Sequence, residues 1–252
     1  MLKKLFVAWQ DPVSRAWFAI AQLTYSDNRY QFTYIRGVKE ACNRANFPGL
    51  WSFPNLEKVY ESPELFPFFS NRVLRRSRPD YPDYIRWLNL PEGSDHPMAM
   101  LSRSGGTKLT DNFALFPYPE ADDRGRYHLY FCAHGLRYMP SATNHRILQL
   151  QVGERLLMMH DAHNEYDRLA LMLRTEDFHL VGYCPRYLLD EIFNLLRQTP
   201  QAVTVTVERV NPPPAPLQMR LLCHLTVDWN EFEPFSSPMY QPLPEAIAPQ
   251  LT

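Results

Sequence analysis

Prolines limit the folds open to this chain more than any other residue type does. The sequence holds 23 prolines and only 9 glycines among its 252 residues. Each proline fixes its own φ angle and lacks the N–H group that a helix interior or a central strand uses. The sequence therefore predicts many fixed turns and short elements, with few long helices.

Apolar spacing in the first half of the chain indicates both strands and helices. The predicted strands are Leu5–Trp9, Trp17–Thr24, Tyr30–Ile35 and the extended run Thr110–Tyr118. The predicted helices are Leu65–Arg76, Pro82–Leu88 and Met98–Ser104. This mixture favours a mixed α/β subdomain at the N-terminus.

The second half of the chain has a denser strand pattern. The predicted strands are Tyr127–His134, Glu154–His160, Leu169–Arg174, Leu180–Tyr183, Ala202–Val210 and Leu217–Trp229. Pro185–Leu196 is predicted to be a helix because its leucines and isoleucine share one face, and Ala142–Leu150 is helical or turn-like. Together the two halves predict the α+β class.

A polar turn at Glu120–Gly125 is the best candidate for a domain boundary. It divides an N-terminal α+β domain, residues 1–126, from a second domain at residues 127–232. Prolines recur in the last segment, residues 233–252, which is therefore predicted to be an extended or disordered tail.

Charge and cysteine usage exclude several classes of function. The net charge of −1 does not suit a generic polyanion binder. Residues 1–126 carry 17 basic against 14 acidic side chains, so an electrostatic hold on nucleic acid would come mainly from that half. The four cysteines form no C-x-x-C pair, which argues against a zinc site and fits a reducing, cytoplasmic setting. Because a membrane span needs about 18 or more consecutive apolar residues and none exist, we expect no membrane partner.

A compact polar cluster lies between two apolar runs at residues 160–167. It contains Asn164, Tyr166 and Asp167, and the upstream run H-G-L-R-Y adds Arg137 and Tyr138. An aromatic ring can stack on a base, and a neighbouring carboxylate can accept the proton of a sugar hydroxyl. The cluster therefore predicts a site for the terminal nucleotide of a strand.

The segment Tyr127–Phe232 resembles the HIRAN domain, an OB-like β-barrel module found in helicase-like transcription factor and in stand-alone bacterial proteins. The resemblance rests on four features in order. They are the run Gly135–Tyr138, the block Asp161–Asp167, the turn Val181–Tyr183 before a helix, and a closing pair of strands. The resemblance implies a small OB-like barrel with one longer helix that binds single-stranded DNA at its free 3′ end.

The family's pocket consists of an Arg-Tyr pair and a Tyr-Asp pair, which match Arg137–Tyr138 and Tyr166–Asp167. The resemblance implies that the two tyrosines stack on bases, that Arg137 contacts the terminal phosphodiester and that Asp167 accepts the 3′-hydroxyl proton. Asn164, His160 and Arg186 complete the predicted DNA-binding set, the last two as phosphate contacts. If the strands before these loops are neighbours, the loops open at comparable ends.

The sequence departs from the family's pattern at three positions. The usual D-P-x-N-P-Y-D block has Ala162 and Glu165 in place of its prolines, and Leu169 stands where an asparagine is common. Glu165 adds negative charge beside the pocket. We therefore expect weaker DNA binding than the family's pattern implies, in the same fold.

Each of these residues also has a structural interpretation. Aspartates in such a sequence commonly close an Asx-turn, which is the structural interpretation of Asp167. Tyr138 and Tyr166 are equally compatible with packing inside the barrel. Arg137 is equally compatible with a local ion pair.

Two further clusters carry charge. Arg75, Arg76 and Arg78 form the densest basic run, and they are either a phosphate clamp or a solvated helix end, where cations are favourable. His160 and His163 have an H-x-x-H spacing without a third ligand nearby, so neither a metal nor another cofactor is predicted.

The N-terminal half has a fainter resemblance to the N-terminal subdomain of HipA-type kinases, through Y-x-F-x-Y at 30–34, the run 65–78 and the Ser104–Gly106 turn. No phosphate-cradling glycine loop and no H-R-D-like loop follow, so kinase activity is not predicted.

The leading prediction is a non-enzymatic module that reads a single-stranded DNA 3′ end beside a nuclease or helicase partner, in bacterial DNA repair or defence. The alternatives are a protein-interaction adaptor, which uses the aromatic loop Phe47–Phe53 and the proline-rich tail, and a nuclease.

Overall fold

The chain folds as two compact units in the computed structural model, which describes residues 3–198, 201, 203–228 and 233–243. Unit 1 consists of residues 1–73, 105–118 and 235–252, and unit 2 of residues 74–104 and 119–234. The predicted boundary turn lies within unit 2. The described part of the predicted tail lies mostly in unit 1.

Unit 1 contains a five-stranded antiparallel sheet in the order β4-β3-β2-β1-β5. Its strands are β1 Lys3–Gln10, β2 Trp17–Ser26, β3 Arg29–Tyr34, β4 Tyr60–Ser62 and β5 Phe113–Pro117. Its two helices are α1 Gly37–Ala45 and α2 Pro67–Ser70. The predicted strands are confirmed, and β1, which has a neighbouring strand on both sides, is buried from Leu5 onward.

The helix predicted at Leu65–Arg76 is wrong in most of its length, because only α2 is helical there. After Ser70 the chain turns, and the guanidinium of Arg72 becomes buried. Its Nη2 lies 2.6 Å from Oδ2 of Asp111, and its Nη1 donates to the Gly106 carbonyl at 2.9 Å. A buried cation requires such partners, and a continuous helix is replaced by the turn that supplies them.

Unit 2 contains a seven-stranded antiparallel sheet in the order β10-β9-β8-β11-β12-β7-β6. Its strands are β6 Glu120–Ala121, β7 Arg126–Cys132, β8 Arg155–His160, β9 Leu171–Arg174, β10 Leu180–Tyr183, β11 Val203–Val210 and β12 Leu221–Asp228. Its helices are α3 Tyr81–Trp87, α4 Pro97–Ser104, α5 Ser141–Gln149 and α6 Leu189–Gln198. The helices predicted at 82–88, 98–104 and 185–196 are confirmed, the last preceded by a short 3-10 turn.

The α+β class is confirmed, and the sheet of unit 2 is open. Among the described strands β10 and β6 are its two edges, so it does not close into a complete barrel. The strands β7 and β8 are not neighbours, since β11 and β12 separate them. The reason is that β11 and β12 form a hairpin that inserts between them, with β12 paired to β7 and β11 to β8.

Segment 74–104 belongs to unit 2 through polar contacts with β11 and the residue after it. Asn89 donates to Oε1 of Glu208 at 2.7 Å and accepts from Arg209 at 3.1 Å. Asn211 donates to the carbonyl oxygen of Trp87 at 2.9 Å. Throughout the residues described, each helix is too short or too polar to cross a bilayer.

Candidate nucleic-acid interface

The side chain of Asn164 organises the loop between β8 and β9, residues 161–170, which we call the Asn164 loop. Its Oδ1 accepts hydrogen bonds from the backbone N–H groups of Tyr166 at 3.0 Å and Asp167 at 2.9 Å. Its Nδ2 donates to Oδ2 of Asp161 at 3.1 Å. The loop is therefore fixed by its own polar groups, and the ring of Tyr166 stays 82% exposed at its tip.

The carboxylate of Asp167 has two different environments. Oδ1 accepts a hydrogen bond from the backbone N–H of Leu169 at 3.0 Å, which is an Asx-turn. Oδ2 is buried and lies 2.7 Å from Nε of Arg186, an ion pair at hydrogen-bond distance. A carboxylate offers about four lone-pair sites, so the turn and the ion pair together leave capacity to accept a hydrogen bond from a hydroxyl group.

Arg186 begins the 3-10 turn before α6, and the fold brings it to Asp167. The sequence predicts this arginine as a phosphate contact, and the structure adds the ion pair with the proposed hydroxyl acceptor. With about a third of its side chain exposed, the arginine keeps access to solvent. Arg186 therefore holds the carboxylate of Asp167 while part of its side chain stays open to solvent.

Arg137 and Tyr138 lie on a 3-10 turn that follows β7, and we call residues 135–138 the Tyr138 turn. The guanidinium carbon of Arg137 is 4.7 Å from the centroid of the Tyr138 ring, a cation–π contact. Both side chains are exposed, and Tyr138 is 75% exposed. Neither predicted tyrosine is therefore packed inside the sheet.

The Tyr138 turn requires glycine at its first position. Gly135 has a φ of +76°, and a Cβ there would lie 2.9 Å from Cδ2 of Tyr183. Gly182 is similarly close, since its Cβ would lie 2.9 Å from that of Ala133. These two glycines let the turn approach β10 more closely than residues with a side chain would permit.

Tyr183 is the residue that sequence reasoning did not place in the site. Its backbone exchanges two hydrogen bonds with His134, at 2.9 and 3.0 Å, and its ring rests against Gly135. Its hydroxyl donates to Oδ2 of Asp161 at 3.1 Å. The V-G-Y turn and the first aspartate of the D-x-x-N block were the available signals. Their contact depends on the packing of β10, which sequence spacing does not reveal.

His160 lies at the end of β8 and is exposed. Its Nε2 is 2.7 Å from the carbonyl oxygen of Arg168, so the ring is hydrogen-bonded within the Asn164 loop. Its ring also contacts Phe193 edge to face, with centroids 5.7 Å apart.

Within the described part of the chain, no group of three or more His, Cys, Asp or Glu side chains is placed to hold a metal ion.

The three arginines of the basic run lie in a turn before α3, not at the end of a helix. The helix-end interpretation is therefore wrong, because the predicted helix stops at Ser70. Nη2 of Arg76 lies 2.8 Å from Oδ2 of Asp95, and Nε of Arg78 lies 2.9 Å from Oδ1 of Asp80. Arg75 is exposed in the same turn. Such exposed pairs are weak, so they remain compatible with phosphate binding.

Every lysine of the sequence lies at or before residue 108 and in unit 1. The basic side chains of unit 2, apart from histidines, are consequently all arginines. A guanidinium presents a planar fork of donors that matches two oxygens of a phosphate, whereas an ammonium acts as a point charge. This composition suits directional contacts with phosphate despite the low net charge.

Comparison with known proteins gives one family and two solved structures. Residues 127–230 match the HIRAN domain family. A protein from Lactobacillus plantarum matches with 22% identity and a TM-score of 0.33, over 41% of this chain and 97% of its own. The HIRAN domain of human HLTF matches with 19% identity and a TM-score of 0.30, over 40% of this chain and 74% of its own. No curated protein matches the chain.

Proposed function

We propose that residues 127–230, which match the HIRAN family of DNA-binding domains, bind single-stranded DNA at a free 3′-hydroxyl end. The observation that carries the proposal is the Asn164 loop. It presents the exposed ring of Tyr166 directly before the carboxylate of Asp167, which Arg186 holds in an ion pair at 2.7 Å. A base can stack on the ring while the hydroxyl of its sugar donates to the carboxylate.

The remaining residues supply affinity rather than end recognition. Tyr138 offers a second ring, and stacking of a base on such a ring is worth about 1–3 kcal/mol. Arg137, Arg186 and the basic run at 75–78 provide guanidinium groups for phosphates. A 3′-phosphate would place its negative charge against Asp167, so a phosphorylated end should bind more weakly than a hydroxyl end.

Fluorescence anisotropy tests the proposal with three labelled single strands of the same sequence. One strand ends in a 3′-hydroxyl, one in a 3′-phosphate and one in a blocked 3′ carbon. We expect the first to bind most tightly, with a preference that persists as salt is raised, because a short-range hydrogen bond is screened less than phosphate contacts are. Equal binding of all three strands, abolished by salt, would show non-specific attraction only.

In the cell we propose a binding role without catalysis, in the cytoplasm, beside a nuclease or helicase that processes the DNA. Within repair or defence, such a module would position the partner at a strand end. Incubation of labelled DNA with Mg²⁺ or Mn²⁺ tests the absence of catalysis, since cleavage by the purified chain would make it a nuclease.

A second candidate function rests on unit 1. In the predicted aromatic loop Phe47 and Phe53 are buried, whereas Trp51 is fully exposed on a turn. The hydroxyl of Tyr34 fixes that turn, since it accepts from the Leu50 N–H at 3.1 Å and donates to the Phe53 carbonyl at 2.9 Å. An exposed tryptophan on a fixed turn favours a protein-interaction adaptor. Pull-down with Trp51→Ala from nuclease-treated lysate tests it, since partners retained by this variant would exclude Trp51 as the anchor.

A further inference from the structure

The two halves of the proposed DNA site come from distant parts of the sheet. The Tyr138 turn follows β7, and the Asn164 loop follows β8, with the β11–β12 hairpin lying between those strands. Pairing along β7, β12, β11 and β8 does not bring the two halves together; the edge strand β10, which pairs with β9 and forms a β-bridge to His134, connects them.

Tyr183 on the edge strand β10 contacts both halves. Its main chain forms the two hydrogen bonds with His134, directly before the Tyr138 turn, and its ring leaves no room for a Cβ at Gly135. Its hydroxyl reaches the other half through Asp161, the first residue of the Asn164 loop. One side chain thus spans the interval between the two loops.

Asp161 also bonds to the loop that carries the proposed DNA-binding residues. The same oxygen, Oδ2, accepts from the Tyr183 hydroxyl and from Nδ2 of Asn164. Asn164 in turn fixes the backbone N–H groups of Tyr166 and Asp167. Three hydrogen bonds therefore connect the hydroxyl of Tyr183 to the backbone of Asp167, the proposed hydroxyl acceptor, and a fourth fixes Tyr166.

Charge strengthens the central hydrogen bond. The hydrogen bond from Asn164 lowers the pKa of Asp161, and the Tyr183 hydroxyl adds to that effect. Burial, together with the neighbouring carboxylate, raises the pKa of Tyr183. The pair therefore stays as a carboxylate and a protonated hydroxyl at neutral pH, and hydrogen bonds to charged acceptors are stronger than neutral ones.

We propose that Tyr183 and Asp161 are positioning residues that set the distance between the Tyr138 turn and the Asn164 loop, and thereby determine the preference for a 3′-hydroxyl end. This inference rests on the proposed function. A carboxylate must lie within a few tenths of an ångström of its place to accept a hydroxyl proton, whereas stacking tolerates larger displacements. If the hydrogen bonds between Tyr183 and Asp167 are weakened, the protein should therefore lose its preference for a 3′-hydroxyl end before it loses its affinity for DNA.

Tyr183→Phe tests the inference, because it deletes one hydroxyl and keeps the ring against Gly135. The measured quantity is the ratio of affinities for the 3′-hydroxyl and 3′-phosphate strands. We expect the ratio to fall roughly tenfold, which is the loss typical of a displaced hydrogen-bonding partner. Affinity for the blocked strand should change by less than about twofold, since stacking remains. Asp161→Asn should lower the ratio as well, and the double variant should lower it no further than the larger single effect.

Tyr60→Phe is the matched control, because it deletes a tyrosine hydroxyl that bonds to backbone atoms of Asn55 in unit 1. It should leave the ratio unchanged. Thermal unfolding shows whether each variant is folded at the temperature of measurement, and Asp161→Asn replaces Tyr183→Phe if that variant is not.

The outcomes separate the inference from the function on which it rests. A wild-type protein that discriminates between the ends, with a Tyr183→Phe variant that discriminates equally well, would overturn the positioning role alone. A variant that loses affinity for all three strands by the same factor would show that Tyr183 merely stabilises the fold. A wild-type protein that binds the ends equally would overturn both.

Discussion

His128 and His224 share a hydrogen bond, with Nδ1 of the first 2.9 Å from Nε2 of the second. The bond belongs to a row of titratable groups across β7, β12 and β11. Nε2 of His128 lies 3.2 Å from Oδ2 of Asp122, and Nδ1 of His224 lies 3.8 Å from Oε2 of Glu208. Three such contacts need three protons, but two neutral imidazoles carry only two. The longest of the three contacts is the one without a proton, so Nδ1 of His224 carries none.

We therefore predict that neutral His224 carries its proton on Nε2 and donates it to His128. Burial lowers the pKa of His224, the charge of Glu208 opposes that change, and His128, Arg103 and Arg126 reinforce it. Glu208→Gln should lower the pKa of His224 further. Nitrogen-detected NMR of the histidine side chains measures both the tautomer and the pKa. A proton on Nδ1 at pH 7.5 would contradict the assignment.

The same shift predicts how stability depends on pH. The pKa of His224 lies below the ordinary value of 6.5, so the unfolded chain takes up the proton first as the pH falls. This contribution to stability is present above about pH 6.5 and is lost on acidification. Glu208→Gln should enlarge the loss, which urea denaturation at pH 7.5 and pH 5 would reveal. His224→Asn should remove this part of the pH dependence.

Removal of the exposed tyrosines should weaken DNA binding without weakening the fold. Tyr166→Ala and Tyr138→Ala each remove a stacking surface worth about 1–3 kcal/mol, so anisotropy should show affinities lower by roughly five- to 150-fold. Both rings are mostly exposed, so the midpoint of thermal unfolding should hardly move. Trp51→Ala, an exposed aromatic outside the HIRAN domain, is the control and should bind DNA like the wild type.

Asp167→Asn should change the order of preference between strand ends. An amide carries no negative charge, so repulsion of a 3′-phosphate disappears, and the 3′-phosphate strand should gain affinity relative to the 3′-hydroxyl strand. Glu165→Gln removes a neighbouring charge that takes no part in the proposed hydrogen bond, and it should raise the affinity for both strands alike. Equal effects of the two substitutions would mean that Asp167 acts through general charge alone.

Alanine substitutions at two glycines with similar φ angles distinguish the cost of backbone strain from the cost of a steric clash. Gly153 has a φ of +84° and open space where a Cβ would stand, whereas Gly135 has a φ of +76° and the ring of Tyr183 beside it. Gly153→Ala should cost about 1–2 kcal/mol of unfolding free energy through strain. Gly135→Ala should cost about 1–3 kcal/mol more, through overpacking. Urea denaturation measures both, and equal costs would show that Tyr183 yields freely.

The strands were predictable because their side chains alternate. In β11 Val203, Val205 and Val207 are buried and the threonines between them are not, which is the pattern that one covered face imposes. Helix α1 was missed, since it begins with Gly37, a residue that ordinarily weakens a helix. The structure gives the reason for that glycine: a Cβ would lie 2.1 Å from the carbonyl oxygen of Ala19 on β2. Close approach between elements leaves no local signature in a sequence.

Within the candidate site, residues that are close in sequence were predictable, and contacts between strands were not. Asn164, Tyr166 and Asp167 act within one loop, so their spacing indicated their grouping. The contacts of Tyr183 with Asp161 and of His128 with His224 depend instead on which strands are neighbours and in what register. His128 lies opposite Thr226, and His224 lies opposite Tyr130, so the two imidazoles meet on a diagonal that only the paired sheet creates.

The distribution of lysines has a practical consequence. Reagents directed at side-chain amines, such as those used to attach biotin or to couple proteins to a sensor surface, can react only with residues of unit 1. Coupling by this chemistry leaves every side chain of the HIRAN domain unmodified. In a cell, acetylation or ubiquitination of lysine side chains is likewise restricted to unit 1, so any covalent control of the DNA-binding domain must use other residues.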